Sequence, residues 1–148
     1  MNVKKLSNTA KLPLREHDSA GYDLFSDVDD FTSYPQMVDL IKTGIALEIP
    51  KGYVGLITPK SGLGHGEGIV LGNLIGVLDE DFRGEVKVSL WNRNNSGDKP
   101  KKIFKGDKIA QMLIVPILTP ELVLVEHLSD TSRGEGGFGS TGKWEHLQ

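Results

Sequence analysis

Apolar residues in this chain recur mostly at every second position, in short runs broken by turns. Val86, Val88 and Leu90 keep a strict period of two. Ile41, Ile45, Leu47 and Ile49 form an earlier run, and Tyr53, Gly55 and Ile57 begin another. Alternation of this kind is the mark of a strand with one buried face. Further upstream, Tyr22, Leu24 and Ser26 would share one face of a strand and Asp23 and Phe25 the other. The segment from Lys4 to Leu14 reads as an edge strand. Ile109 to Val115 is a near-continuous apolar strand interrupted by Gln111, and Leu122 to Val125 reads as a last strand. No window carries a long 3.6-residue period. Many short strands with turns between them predict an all-β sandwich or barrel.

The turns carry the chemistry. Pro50-Lys51-Gly52 between alternating runs predicts a hairpin. A second hairpin is predicted over Gly76-Val77-Leu78-Asp79-Glu80-Asp81-Phe82-Arg83-Gly84, with a glycine at each end of a charged turn. In extended chain Asp79 and Asp81 share a face and Glu80 points away. A carboxylate held there either orients a water and accepts its proton or is simply part of a solvated turn. Pro59 to Gly66 is glycine-rich, with Lys60 and Ser61. Such a loop is either plainly flexible or aims backbone N–H groups at an anion; it lacks the Gly-Lys-Ser/Thr order of a P-loop. His65 has no second ligand at metal spacing. Asp27 to Asp30 lacks the glycine and distal Glu of a calcium loop and reads as solvated. Asn92 to Pro100 reads as a polar surface loop. Lys99, Lys101, Lys102, Lys105 and Lys108 either contact phosphates or form a solvated face. Gln111, if buried, closes a core network or reaches a ligand.

Composition narrows the classes. The chain has 148 residues, one domain by length, and a net charge of -3, which gives no duplex-binding surface. Cysteine is absent, excluding disulfides and thiolate chemistry. No apolar run approaches the ~20 residues of a membrane span, and Met-Asn-Val-Lys-Lys-Leu lacks the apolar h-region of a signal peptide. A cytoplasmic protein is expected, without membrane or direct nucleic-acid partners. The 18 glycines cluster, six between Gly62 and Gly76 and five between Gly134 and Gly142. The last cluster holds Arg133 and Phe138 in a stretch without periodicity. It is a disordered tail unless it closes over something.

In order along the chain, these stretches resemble the five motifs of the trimeric deoxyuridine triphosphatase (dUTPase) family: Ala20 to Leu24, Pro59 to Gly64, Gly76 to Gly84, Gly106 to Gln111, and Arg133 to Gly142. The resemblance implies a dUTPase-like β-barrel or jelly roll of antiparallel and mixed sheets over residues 1–128, with a flexible glycine-rich tail over 129–148. It implies a dUTP diphosphatase, forming dUMP and pyrophosphate by water attack at the α-phosphorus. Such an enzyme limits uracil incorporation into DNA and supplies dUMP for thymidylate synthesis. Asp79 corresponds to the catalytic carboxylate. Asn73, with Gly76 and Leu78 of the hairpin backbone, would read the uracil edge. Phe82 would lie under the deoxyribose and leave no room for a 2′-hydroxyl. Lys60, Ser61, Gly62 and Gln111 would bind phosphates, and Asp23 would hold Mg²⁺ through water, the ion being chelated mainly by the triphosphate. Arg133 would pair with the γ-phosphate and Phe138 would stack on uracil. Gly139, Ser140 and Thr141 would wrap the phosphates with their amides. The family is a homotrimer with sites shared between subunits, in the cytoplasm (of the host, for a viral member).

Two positions depart from the family pattern: Lys60 stands for an arginine and Phe82 for a tyrosine. The first keeps charge without the planar fork; the second keeps the ring without the hydroxyl. Alternative readings are a dCTP deaminase relative, disfavoured by the third and fifth motifs, and a regulatory protein of dUTPase fold that binds a protein partner. A structural capsid-like domain would not account for the tail.

Overall fold

The computed structural model describes residues 1–137. The chain divides into two compact units, Met1–Leu118 and Thr119–Gln148. The first contains ten strands: β1 (Asn2–Lys5), β2 (Tyr22–Phe25), β3 (Phe31–Ser33), β4 (Val38–Glu48), β5 (Tyr53–Pro59), β6 (Ile69–Leu71), β7 (Gly76–Leu78), β8 (Glu85–Asn92), β9 (Lys101–Ile103) and β10 (Lys108–Pro116). They form one sheet in the order β1-β4-β8-β6, a second in the order β2-β10-β5-β7, and the small pair β3-β9. Every strand pairing is antiparallel, so the all-β expectation holds and the mixed pairing does not appear among the described residues.

The period-two residues fill the core. Ile41, Ile45, Leu47 and Ile49 of the β4 run, Val86, Val88 and Leu90 of β8, and Ile57, Leu78 and Met112 of the second sheet form one buried cluster. Burying such side chains on both inner faces is the main stabilising term of a double-layer β fold. β4 is interrupted by a register shift against β8 between Lys42 and Ala46. There Gly44 takes φ +66°, and the buried Thr43 hydroxyl donates to the Val86 carbonyl at 2.6 Å.

Neither predicted hairpin is one. β4 lies in the first sheet and β5 in the second; β7 lies in the second and β8 in the first. Pro50–Gly52 and Asp79–Gly84 are therefore corners where the chain crosses between sheets. Alternation shows that a strand has a buried face, but it does not say which strand lies beside it.

Other expectations are corrected as well. The edge strand is shorter, Asn2–Lys5, and Leu14 makes only one isolated bridge, to Asp23. Pro59 to Gly66 is not loose chain: Gly62–Glu67 form a single π-helical turn, closed by Gly68 at φ 72°. Asp27 is not solvated, because Ser7 and Thr9 donate their hydroxyls to its two oxygens. Asn92 is fully buried at the end of β8 and donates to the Ser33 carbonyl at 2.9 Å. Leu122 to Val125 is no strand; Leu122 and Leu124 are 94% and 100% exposed. No helix among the described residues is long and apolar enough to cross a membrane.

Candidate active site

The first, second and fourth sequence motifs meet in the β2-β10-β5 part of the second sheet. Gln111 of β10 stands opposite Asp23 on one side and Thr58 on the other. Its side chain lies so close over Gly21 that a Cβ there would sit 2.5 Å from Gln111 Cγ; glycine is required for that approach. Lys60 follows directly after β5, with Ser61 and Gly62 exposed at the start of the π-helical turn.

Asp23 is buried, its side chain only 6% exposed, and it is flanked by two ammonium groups. Lys60 Nζ lies 2.5 Å from Oδ1 and Lys108 Nζ 3.0 Å from Oδ2. Lys108 also reaches Glu16 at 2.7 Å. Burial works to raise the Asp23 pKa, but the hydrogen bonds and charges of Lys60 and Lys108 outweigh it and hold the carboxyl below its ordinary value of 3.8. The hydrogen bonds that Lys108 donates to Glu16 and Asp23 raise the Lys108 pKa in turn.

This donor set does not fit a resident dication. Among the described residues no group of three or more His, Asp or Glu could hold a metal ion, and both Asp23 oxygens already face cations. Sequence reasoning missed Lys108 and Glu16; the lysine run was visible, but not which lysine faced a buried carboxylate.

The third motif lies elsewhere. β7 pairs with β5 in the register Gly55↔Leu78 and Ile57↔Gly76, so Asp79 emerges at the Val54 end of β5 and Lys60 at the Pro59 end. At ~3.3 Å per residue and ~4.8 Å between strands, Asp79 and the Asp23–Lys60 cluster are roughly 20 Å apart in one chain. Asp79 is exposed, and its carboxylate has no hydrogen-bond or ion-pair partner among the described residues. Its carbonyl accepts from the Phe82 N–H at 3.2 Å. The Phe82 ring folds over Gly84, where a Cβ would lie 2.7 Å from ring Cζ. Asp81 lines an open cavity of about 520 Å³ together with Glu48, Glu80 and Arg83; Asp79 is not part of that lining. In a turn, the face sharing expected of extended chain no longer applies.

Asn73 is exposed in the turn before β7, next to Leu74, which is 74% exposed at φ 63°. Gly76 and Leu78 are in β7. Arg133 is exposed and its Nε donates to the Gly136 carbonyl at 2.7 Å. Phe138, Gly139, Ser140 and Thr141 lie outside the described residues.

A family model for dUTPase matches residues 8–142. The deoxyuridine 5'-triphosphate nucleotidohydrolase of Alcanivorax borkumensis is 45% identical, covering 94% of this chain and 93% of its own. That of Histophilus somni is 49% identical over 84% and 82%. Among solved structures, the Staphylococcus bacteriophage 80alpha dUTPase with dUPNHPP has a TM-score of 0.87 at 36% identity, covering 96% of this chain and 98% of its own. A variant of the phage phi11 dUTPase of S. aureus, described as coordinating a structural Mg(II) ion, has a TM-score of 0.77 at 34% identity over 85% and 96%. With its two-sheet antiparallel fold and its motif segments in order, this chain belongs to the dUTPase family.

The ion pairs of Asp23 set a pH dependence of stability. Its folded pKa is depressed, so the contribution is complete above the ordinary value of 3.8 and is lost as pH falls through the lower folded value. Asp23→Asn should cost about 1–3 kcal/mol at neutral pH, less than a fully buried pair because both ammonium groups reach solvent. The Tm difference from wild type should stay flat between about pH 5 and 8 and close only as the pH falls below 3.8. Thermal melts across pH check this; a gap that narrows between about pH 6 and 8 would assign the linkage to another group.

Proposed function

We propose that this protein hydrolyses dUTP to dUMP and pyrophosphate, with Asp79 assisting the attack of water on the α-phosphorus. The observation that carries the reading is the Asp79 carboxylate, exposed and unpartnered among the described residues, on a segment that matches the family's third motif residue for residue except at Phe82. A free carboxylate can hold a water by one oxygen and accept its proton as the bond to phosphorus forms. Most of the remaining work is charge neutralisation and alignment of the triphosphate.

Lys60, Ser61, Gly62 and Gln111 supply the phosphate side. Lys60 and Lys108 bring two ammonium groups against the carboxylates of Asp23 and Glu16, and each lysine can turn a remaining N–H toward an anionic ligand. Mg²⁺ arrives as part of the substrate, chelated by the triphosphate. Asn73 and the backbone of Gly76 and Leu78 take the uracil edge, a pattern that rejects cytosine because a mismatched donor leaves a buried group unpaired. Phe82 takes the face of the deoxyribose. Arg133, Phe138, Gly139, Ser140 and Thr141 close the site, Arg133 on the γ-phosphate and Phe138 on the base. The enzyme works in the cytoplasm, of the host cell if the chain is viral.

The active form is a homotrimer with each site shared between subunits. Two observations support this. Within one chain Asp79 and the phosphate-side cluster lie roughly 20 Å apart, more than one nucleotide can bridge with productive geometry. Tyr34, Met37, Val38 and Leu40, within seven residues of chain, also leave large apolar side chains 54–62% exposed, the kind of surface that a partner subunit covers.

Pyrophosphate release measured with dUTP, dCTP, dTTP and UTP in the presence of Mg²⁺ should show turnover of dUTP, with the others at least about 100-fold lower in kcat/KM. Ammonia released from dCTP would replace this reading with a deaminase.

Sharing can be tested by mixing. Asp79→Asn and a chain truncated after Ser132 should each be nearly inactive alone. Refolded together in equal amounts, about a quarter of sites combine an intact corner from one chain with an intact tail from another. Activity at background in mixed trimers shown to have formed would mean that corner and tail serve a site in cis.

A further inference from the structure

The corner that carries Asp79 has little of its own to hold it. From Asp79 to Gly84 it makes one backbone hydrogen bond within itself, the Phe82 N–H to the Asp79 carbonyl. The ladder of the second sheet stops at Leu78, and that of the first begins at Glu85. Six residues between two sheets, without ladder partners, would wander by more than the tolerance of a reacting water.

A set of polar contacts ties this corner to the neighbouring one, where β4 passes into β5. The Gly52 N–H donates to the Glu80 carboxylate. Gly52 takes φ +80°, a conformation that suits glycine, and its carbonyl accepts from the Ile117 N–H at 2.9 Å. Arg83 works from the other side. One Nη donates to the carbonyls of Glu80 at 2.6 Å and Phe82 at 3.0 Å. The other Nη reaches Glu48 at 3.5 Å, and the second oxygen of Glu48 is held by Asn2 at 2.6 Å. Glu48, Glu80 and Arg83 line the open cavity between the two corners.

We propose that Arg83, with Glu80, is a positioning latch for the reaction: it fixes the carbonyls on either side of Asp81 to the β4–β5 corner and so sets where Asp79 and the Phe82 ring stand. The planar guanidinium holds two carbonyls and a carboxylate from one rigid fork, a geometry that the compact ammonium of lysine does not reproduce. Arg83 and Glu48 are half-exposed, at 53% and 50% of their side-chain surface, so the latch adds little to global stability. Its effect is on geometry, where a displacement of about 1 Å can cost ~100-fold in rate. A tie made outside the substrate contacts should act on kcat more than on KM.

This inference rests on dUTP hydrolysis at Asp79, so wild-type turnover is measured beside every variant. Arg83→Ala should lower kcat about 10- to 100-fold, with KM within about threefold of wild type and Tm within about 2 °C. Arg83→Lys should fall between the two. Ethylguanidinium, which can enter the open cavity, should restore part of the Arg83→Ala rate in a saturable way and leave wild type unchanged. Glu80→Ala should also lower kcat, and combining it with Arg83→Ala should cost less than the product of the two single effects, because both release the same corner. A kcat within about twofold of wild type in Arg83→Ala, a loss seen in KM alone, or a loss that tracks the folded fraction would each overturn the latch. Absence of dUTP turnover in wild type would instead overturn the reading of function.

Discussion

Between β7 and β8 the chain must leave one sheet and enter another, and that crossing governs much of the rest of the structure. Core packing fixes its two ends. Leu78 is held against Gly55 in the second sheet, and Glu85 opposite Ala46 in the first, with Leu78 and Val86 inside the common apolar cluster. What lies between is polar and charged because it cannot be buried: its backbone has no ladder partner, and an unpaired buried amide would be costly. The crossing is therefore a place where a carboxylate can stand in water at the end of a rigid scaffold. That is the combination a water-activating group needs, reactive atoms exposed and supporting atoms fixed. Gly84 serves the same end, since it lets the Phe82 ring fold back over the backbone.

At the other end of β5 the electrostatics run the opposite way. Asp23 is taken out of water by β2 and β10, which is unfavourable for a charge, and the cost is offset by two ammonium groups at 2.5 and 3.0 Å. The charges of Asp23 and Glu16 are thus balanced by Lys60 and Lys108, whereas the corner near Asp79 carries Glu80 and Asp81 beside it. One strand thus separates a charge-balanced lysine–carboxylate cluster from an acidic corner by roughly 20 Å. The sharing of sites between copies proposed above would bring the two kinds of surface together.

Strand content was legible from period two alone: β4, β5, β8 and β10 fall where alternating or apolar runs predict them, and their inward residues are the core. Pairing was not. Pro50–Gly52 and Gly76–Gly84 have the residues of hairpin turns, and only the sheet order shows that they are crossings. The glycines of 62–68 announced unusual backbone, but a π-helical turn and a flexible loop share that composition. Leu122 to Val125 has strand propensity and no partner strand among the described residues, so propensity is not satisfied there. Asp27 looked solvated because Ser7 and Thr9, which hold it, are 18 to 20 residues away in sequence. At the site, Asp79, Phe82, Asp23, Lys60 and Gln111 were all marked by residue type and motif. The partners of Lys108, Arg83 and Glu80 were not, because nothing in a linear pattern says which charge a distant lysine or arginine will meet.

The claim on which the account turns is that Asp79 acts on the water and not on the affinity for nucleotide. The direct measurement is Asp79→Asn, with kcat for dUTP and Kd for a non-hydrolysable dUTP analogue determined on the same preparation. The account predicts a kcat lowered by about three orders of magnitude or more, with Kd within a few-fold of wild type. Near-normal turnover in this variant would contradict it and move the catalytic role to Asp81 or another group.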